Sequence, residues 1–314
     1  MEHLEAGSQA SIYREVSADD FHGAPYQVQV VALRNGPYMD FPASISIETM
    51  ALCNAACDFC PYPGLERRGE IMPDELIEKI LGEIAEIPHR PPFKVTLARV
   101  NEPFLDTRIF DISSDIERRF PEASQFFFSN GTPLTEKNLL RLTQYKRVDY
   151  LNVSVNDHRP AQYERVMRLP FTTIADRLAL IHRMKMAGTL TFPVFLSRVG
   201  DGTPADGEFL EWVQTNYPSL NGLVTVRGNW LGKIQGDIAA APDVACRQWF
   251  ELHVLANGRT AFCCIDSEGS HSMGDARRHH VIHEVYNHPA RKRIRAEVNS
   301  RRVLEPCNTC PMLP

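Results

Sequence analysis

Three cysteines within eight residues, Cys53-Asn54-Ala55-Ala56-Cys57-Asp58-Phe59-Cys60, restrict this chain more than any other stretch. On a regular helix Cys53 and Cys60 would stand about 10 Å apart along the axis. That is too far for three sulfurs to share one compact group. Asn54, Asp58, Pro61, Pro63 and Gly64 carry loop chemistry, so the segment is expected to wrap instead. Thiolates are the usual ligands of iron–sulfur clusters, and a 4Fe–4S cubane normally takes four. Three close thiols leave one iron open for a substrate or cofactor. The rival readings are a structural zinc site lacking its fourth ligand, or reduced core cysteines. Zinc loops, however, usually show paired C-x2-C knuckles.

Composition bounds the setting. The 314 residues suffice for one large domain and a small one. A net charge of −5 gives no reason to expect nucleic acid or an anionic membrane as partner. No apolar run reaches the roughly 18 residues of a membrane-spanning helix. Met1-Glu2-His3-Leu4-Glu5-Ala6 lacks the basic-then-apolar order of a signal peptide. The expectation is a cytoplasmic chain with reduced thiols, whose eight cysteines serve as metal ligands rather than disulfides.

Along the chain, Tyr26–Leu33 reads as a β-like run, closed by the turn residues Asn35-Gly36-Pro37. Residues 44–50 alternate as a strand and lead into the cysteine loop. Leu76, Ile77, Ile80, Leu81 and Ile84 recur at helical spacing behind Pro73, predicting a helix over 73–87. Strands follow at 93–98, 125–128, 150–155, 190–196 and 222–226. Helices fall between them at 107–119, 135–144, 172–187 and 206–216, the third ending at Gly188. About six β-then-α units predict an α/β chain with a parallel sheet and helices outside. In such sheets active sites lie at the carboxyl ends of strands, where the cysteine loop falls.

The cysteine spacing closely resembles the cluster loop of the radical S-adenosylmethionine (radical SAM) superfamily. The resemblance implies a partial (β/α)6 barrel over 44–226, an N-terminal extension over 1–43, and Cys53, Cys57 and Cys60 as ligands of a SAM-binding 4Fe–4S cluster. It further implies that SAM is cleaved to a 5′-deoxyadenosyl radical that removes a substrate hydrogen. Val100-Asn101-Glu102-Pro103 is similar to the family's Gly-Gly-Glu-Pro segment, with its glycines replaced by Val100 and Asn101. Glu102 and Asn101 are thereby implied at the SAM amino group, although a helix-starting turn would account for the same residues. Ser129-Asn130-Gly131 resembles the Thr-Asn-Gly segment near the SAM ribose. Ser154 and Asn156 look like the ribose- and methionine-contacting position, and Phe59 of the cysteine loop joins the cofactor-binding set. Arg198, just past the fifth strand, is a candidate for the SAM carboxylate or the substrate, or else a surface arginine. Arg227, Asn229 and Trp230 are candidate substrate contacts by position alone.

The other five cysteines lie in the C-terminal region: Cys246, Cys263, Cys264, Cys307 and Cys310. Val254–Cys263 reads as a β-hairpin turning at Asn257-Gly258, with Cys246 before it and Cys263 at its end. Cys307-Asn308-Thr309-Cys310 is also an ordinary zinc knuckle. The whole resembles the twitch form of the SPASM domain attached to many radical SAM enzymes. That resemblance implies a small α+β domain over 227–314 holding one auxiliary 4Fe–4S cluster through Cys246, Cys263, Cys307 and Cys310. Cys264 is then left over, as a buried small hydrophobe or as the donor of a hydrogen atom to a substrate radical. Arg291-Lys292-Arg293-Ile294-Arg295, with Arg301-Arg302, reads as the solvated face of a short helix. Acidic substrates or an electron donor of the flavodoxin or ferredoxin type would dock there.

Within the superfamily, the short core with a single auxiliary cluster is similar to aminocyclitol dehydrogenases of butirosin-type antibiotic biosynthesis. The expectation is an oxidoreductase acting on a small polar metabolite of sugar or aminocyclitol type. Two alternatives share its opening chemistry: redox-neutral epimerisation using Cys264, and modification of a ribosomal peptide. Residues 1–43 are shorter than the peptide-recognition domain that often precedes the core in peptide modifiers. A non-catalytic iron–sulfur or zinc protein is the alternative of a different class.

Overall fold

The computed structural model describes residues 24–225, 230, 231, 233 and 241–310. Its centre is one eight-stranded sheet. Strands β1 (Ser44–Ile47), β2 (Phe93–Thr96), β3 (Ala123–Ser129), β4 (Val148–Ser154), β5 (Val194–Val199) and β6 (Asn221–Thr225) are all parallel and neighbour one another in chain order. On the far side of β1 comes β7 (Glu251–Val254), also parallel, then β8 (Thr260–Ala261), antiparallel to β7. The predicted C-terminal hairpin is present and extends the barrel sheet past its first strand.

Helices α2 (Asp74–Ala85), α3 (Ile109–Arg119), α4 (Glu136–Leu142), α5 (Pro160–Met167), α6 (Phe171–Met186) and α7 (Pro204–Asn216) form the connections. Strand alternation explains where the core sits. Phe127, Leu151, Val153, Val194 and Leu196 join helix residues such as Ile80, Ile116, Leu139 and Leu178 in one apolar cluster. The alternate residues Phe126, Phe128, Tyr150 and Phe195 meet on the opposite face, with ring centroids 5.2–6.0 Å apart. That inner face is aromatic, whereas the outer one mixes aliphatic residues with Phe127.

Three expectations change. The Tyr26–Leu33 run lies within helix α1 (Ala24–Asn35). Tyr26 and Val30, one turn apart, bury against Trp249, Phe250 and Ile294, while Val28 and Val31 face outward. Tertiary burial at a spacing of four overrides the strand preference of a valine-rich stretch. Helix α5 was not read from the sequence; it ends at Arg168 in a left-handed conformation. The basic tail does form helix α8 (Pro289–Glu297), but Arg291, Arg295 and Arg301 are fully buried rather than solvated. Arg295 lies 3.9 Å from the ring centroid of Tyr286 and donates to the carbonyls of Tyr286 and Met39 at 2.8 Å each.

Candidate active site

The cysteine loop leaves the carboxyl end of β1 and folds back on the end of α5. Ala56 N donates to the Met167 carbonyl (3.4 Å) and Asp58 N to that of Val166 (3.2 Å). The Cys57 thiol reaches Met167 Sδ at 3.5 Å. Tyr62, Leu65 and Val100 pack with Cys53, Cys60 and Trp230 as an apolar cover, and Trp230 Nε1 donates to the Phe59 carbonyl at 3.1 Å. Trp230 therefore supports the cysteine loop. Arg227 and Asn229 lie outside the described residues.

Burial pushes the Cys53 thiol up to about 11, and drives Cys57 and Cys60 upward as well; Cys57 also responds to Cys60 and Cys53. These thiols are protonated in the chain alone and would shed protons on taking up a cationic group. Among the described residues, no three His, Cys, Asp or Glu side chains close to the spacing of a single-ion site. Three thiols on one wrapping loop are the donor type and number that would leave one iron of a cubane open. The donor set therefore fits the iron–sulfur expectation.

Beside the loop, β2 and β3 end in a shared polar knot. Glu102 is fully buried. It accepts from Ser129 Oγ (3.0 Å), Asn130 N (2.5 Å) and Phe104 N (3.2 Å). Burial raises its carboxyl to about 7, and these three donors only partly oppose that rise. Glu102 also caps the short helix Pro103–Leu105, as the turn reading of this segment expects. Asn130 Nδ2 donates to Asn54 Oδ1 at 2.7 Å and lies 4.0 Å from Cys53 Sγ. Glu102, Ser129, Asn130 and the cysteine loop thus form one constellation. Gly131 makes the turn possible: its φ is +85°, and a Cβ there would lie 2.2 Å from Ile174 Cδ1.

The remaining candidates divide. Asn101 turns back on its own loop, accepting from Arg99 N at 2.7 Å. Ser154 ends β4 half-buried. Asn156 has a positive φ of 65° and donates to Met167 Sδ at 3.0 Å, which places it beneath Cys57. Arg198 is not a free cation for a carboxylate. Its nitrogens go to Asp206 (2.7 Å), Asp201 (2.7 Å), Asp157 (3.1 Å) and the Asn156 carbonyl (2.6 Å), tying β5 to the strand beside it. Asn54 and Met167 were missed from sequence. Asn54 had the signal of lying inside the cysteine motif; Met167 had none.

The C-terminal thiols gather from three separate segments. Cys246, Cys263 and Cys307 share an apolar cluster with Trp249, Phe250 and Phe262, and Cys310 follows Cys307 by one short turn. Burial raises Cys307 to about 12 and holds Cys246 and Cys263 above their ordinary values. Cys264 packs outside that cluster. Burial raises it to about 12, with Glu251 raising and Arg99 lowering it.

Two regions are physically joined. Arg99, three residues before Glu102, donates to the carbonyls of Cys263 (3.2 Å) and Asp266 (3.4 Å). Glu48 and Arg67 form a buried ion pair. Glu48 also accepts from Val100 N (3.1 Å) and Ala256 N (3.0 Å), and Arg67 donates to the Ser267 carbonyl at 2.9 Å.

A parallel α/β barrel sheet, with a thiol triplet after its first strand and a second thiol group beside that strand, defines an iron–sulfur enzyme. Residues 47–211 match the Radical SAM superfamily model, so the chain belongs to the radical SAM superfamily. Residues 246–311 match the SPASM model, an iron-sulfur cluster-binding domain. Its cofactors are accordingly SAM with a 4Fe–4S cluster, and auxiliary iron–sulfur in the C-terminal region. No curated protein matches the sequence. Solved structures share the fold. BtrN in complex with AdoMet and 2-DOIA is 16% identical, with TM-score 0.59 over 86% of this chain and 93% of that one. Streptococcus suis SuiB bound to precursor peptide SuiA is 15% identical, with TM-score 0.65 over 99% and 79%. The anSMEcpe enzyme with bound AdoMet is 12% identical, with TM-score 0.53 over 82% and 89%. Among the described residues no helix is long and apolar enough to cross a membrane.

Proposed function

We propose that this chain oxidises a hydroxyl- or amino-bearing carbon of a small polar metabolite, of the sugar or aminocyclitol type. In this reading Cys53, Cys57 and Cys60 hold the SAM-binding cluster, and Cys246, Cys263, Cys307 and Cys310 the auxiliary one. Glu102 faces the SAM ammonium, with Ser129, Asn130, Ser154 and Asn156 around the rest of the cofactor. SAM on its cluster supplies the 5′-deoxyadenosyl radical that takes a hydrogen atom from the substrate carbon. The hydroxyl or amine would then lose a proton, an auxiliary cluster held by Cys246, Cys263, Cys307 and Cys310 would supply the acceptor for one electron, and a carbonyl or imine would remain. The observation carrying this reading is the Arg99 bridge: Arg99, on the segment that leads to Glu102, donates to the Cys263 carbonyl and so ties the C-terminal thiol region to the core site. The aromatic inner face of β3–β5 suits the C–H face of a saturated ring. BtrN, solved in complex with AdoMet and 2-DOIA, matches over nearly its whole length, which agrees with a small substrate. An electron donor of the flavodoxin or ferredoxin type completes the cycle.

A second reading rests on Cys264, the one C-terminal thiol outside the proposed quartet, which burial keeps neutral and which feels Glu251, Arg99, Cys246 and Cys310. Such a thiol suits return of a hydrogen atom, and the outcome is epimerisation. Anaerobic, reconstituted protein decides the matter. About eight irons per chain, and 5′-deoxyadenosine on adding dithionite and SAM, support the core reading. With aminocyclitols and sugars supplied, a product lacking two hydrogens supports oxidation. An isomer carrying solvent deuterium, lost in Cys264→Ala, supports epimerisation. Turnover of peptides alone overturns the small-metabolite reading.

A further inference from the structure

Four buried side chains surround the C-terminal thiols, each set against a different cysteine. The Arg247 backbone N–H donates to Tyr26 Oη at 3.0 Å, which leaves the Tyr26 hydroxyl hydrogen for Cys246 Sγ, 3.8 Å away. Arg301, 2% exposed, has Nη1 4.0 Å from Cys310 Sγ. The indole N–H of Trp249 lies beside Cys307 and has no other acceptor among the described residues. Arg291, 1% exposed, gives Nη2 to the Glu251 carbonyl at 2.8 Å; its Nε and Nη1 have no hydrogen-bond partner among the described residues, and the guanidinium lies within electrostatic reach of Cys263. Buried cations are costly without an anion to meet them. Four thiolates outweigh the positive charge of a cubane core, and each added electron makes the ligated group more negative. Donors and cations at the sulfurs therefore favour the reduced form.

Resting on the ligand set proposed above, we infer that Tyr26, Trp249, Arg291 and Arg301 form a donor shell that raises the reduction potential of the auxiliary cluster and poises it as an electron acceptor. The shell gives helix α1 a role at a site more than 200 residues away in sequence. These are positioning residues; none contacts the substrate. The electron they favour is the one released when the deprotonated substrate radical becomes a carbonyl or imine.

The test is an EPR-monitored redox titration of the reconstituted full-length chain, with iron counted first. Replacing Cys53, Cys57 and Cys60 by Ala throughout isolates the auxiliary signal. Arg301→Gln is expected to lower the reduced-to-oxidised ratio at fixed poise at least tenfold, equivalent to 59 mV for one electron. Arg301→Lys should recover most of that loss. Tyr26→Phe should lower the ratio two- to threefold with full iron content. If Arg301→Gln loses iron, Tyr26→Phe and Trp249→Phe decide. An unchanged potential in iron-replete variants overturns the donor shell and leaves the cluster reading standing. If the triple-Ala chain binds no iron, the ligand reading itself fails and takes the shell with it.

Discussion

The two thiol groups solve opposite problems. The first comes from one short loop, sits under an apolar cover of Tyr62, Leu65 and Val100, and borders a carboxylate poised near neutrality. The second is assembled from three segments and is enclosed by guanidinium, indole and phenol donors. A group that must admit and release SAM benefits from clustered ligands and a surround that leaves one position open. A group that only stores an electron benefits from closure and fixed positive charge. The difference shows that similar ligands acquire different work from what lies behind them.

The largest expected effect divides the two by function. Cys57→Ala should abolish 5′-deoxyadenosine formation while about four irons remain. Cys307→Ala should remove the other four and leave SAM cleavage measurable but uncoupled from substrate oxidation. Iron analysis with product assay checks both, and loss of all iron in either variant breaks the comparison.

Next is the joint between the regions. Arg67→Met leaves the Glu48 carboxylate buried without its partner and should cost about 3–5 kcal/mol of stability in denaturant titration. If the two regions instead unfold in separate transitions, the Glu48–Arg67 pair does not couple them.

The smallest effect concerns pH, and it belongs to the first group alone. Glu102 ionises near pH 7 in the folded chain and near 4.5 when exposed. Between those values the folded chain holds the extra proton, so this residue makes stability fall as pH rises from about 4.5 to about 7. A bound ammonium favours the carboxylate, so SAM affinity should weaken severalfold as pH drops from 8 to 6. Glu102→Gln should bind more weakly throughout and flatten that dependence, measured by calorimetry. A pH profile unchanged in the variant would remove Glu102 from the cofactor's surroundings.

Much of this was legible in the residues. The β-then-α alternation, the cysteine triplet and the Asn257-Gly258 hairpin carry local signals, and each appears where its spacing placed it. Glu102 and Asn130 were legible as motif residues, though their mutual hydrogen bond was not. What escaped depends on distant partners. Tyr26–Leu33 becomes helical only because Trp249 and Phe250 wait for its buried face. The basic tail looks solvated until Tyr286, Phe262 and backbone carbonyls are found around Arg291 and Arg295. Arg198 looks available until three aspartates converge on it.

The parallel pairing of β1 with β7 has a consequence for how the protein is made. Ser44 aligns with Glu251, and 251 − 44 is 207 residues of synthesis. At translation rates of about 5–20 residues per second, one edge of the first strand stays open for roughly 10–40 s after it emerges. Through that interval Glu48 lacks the Ala256 N–H that it finally accepts, and the nascent thiols stand beside an unfinished sheet. The edge of β1 beside the cysteine loop is therefore closed only once β7 has been made, late in synthesis.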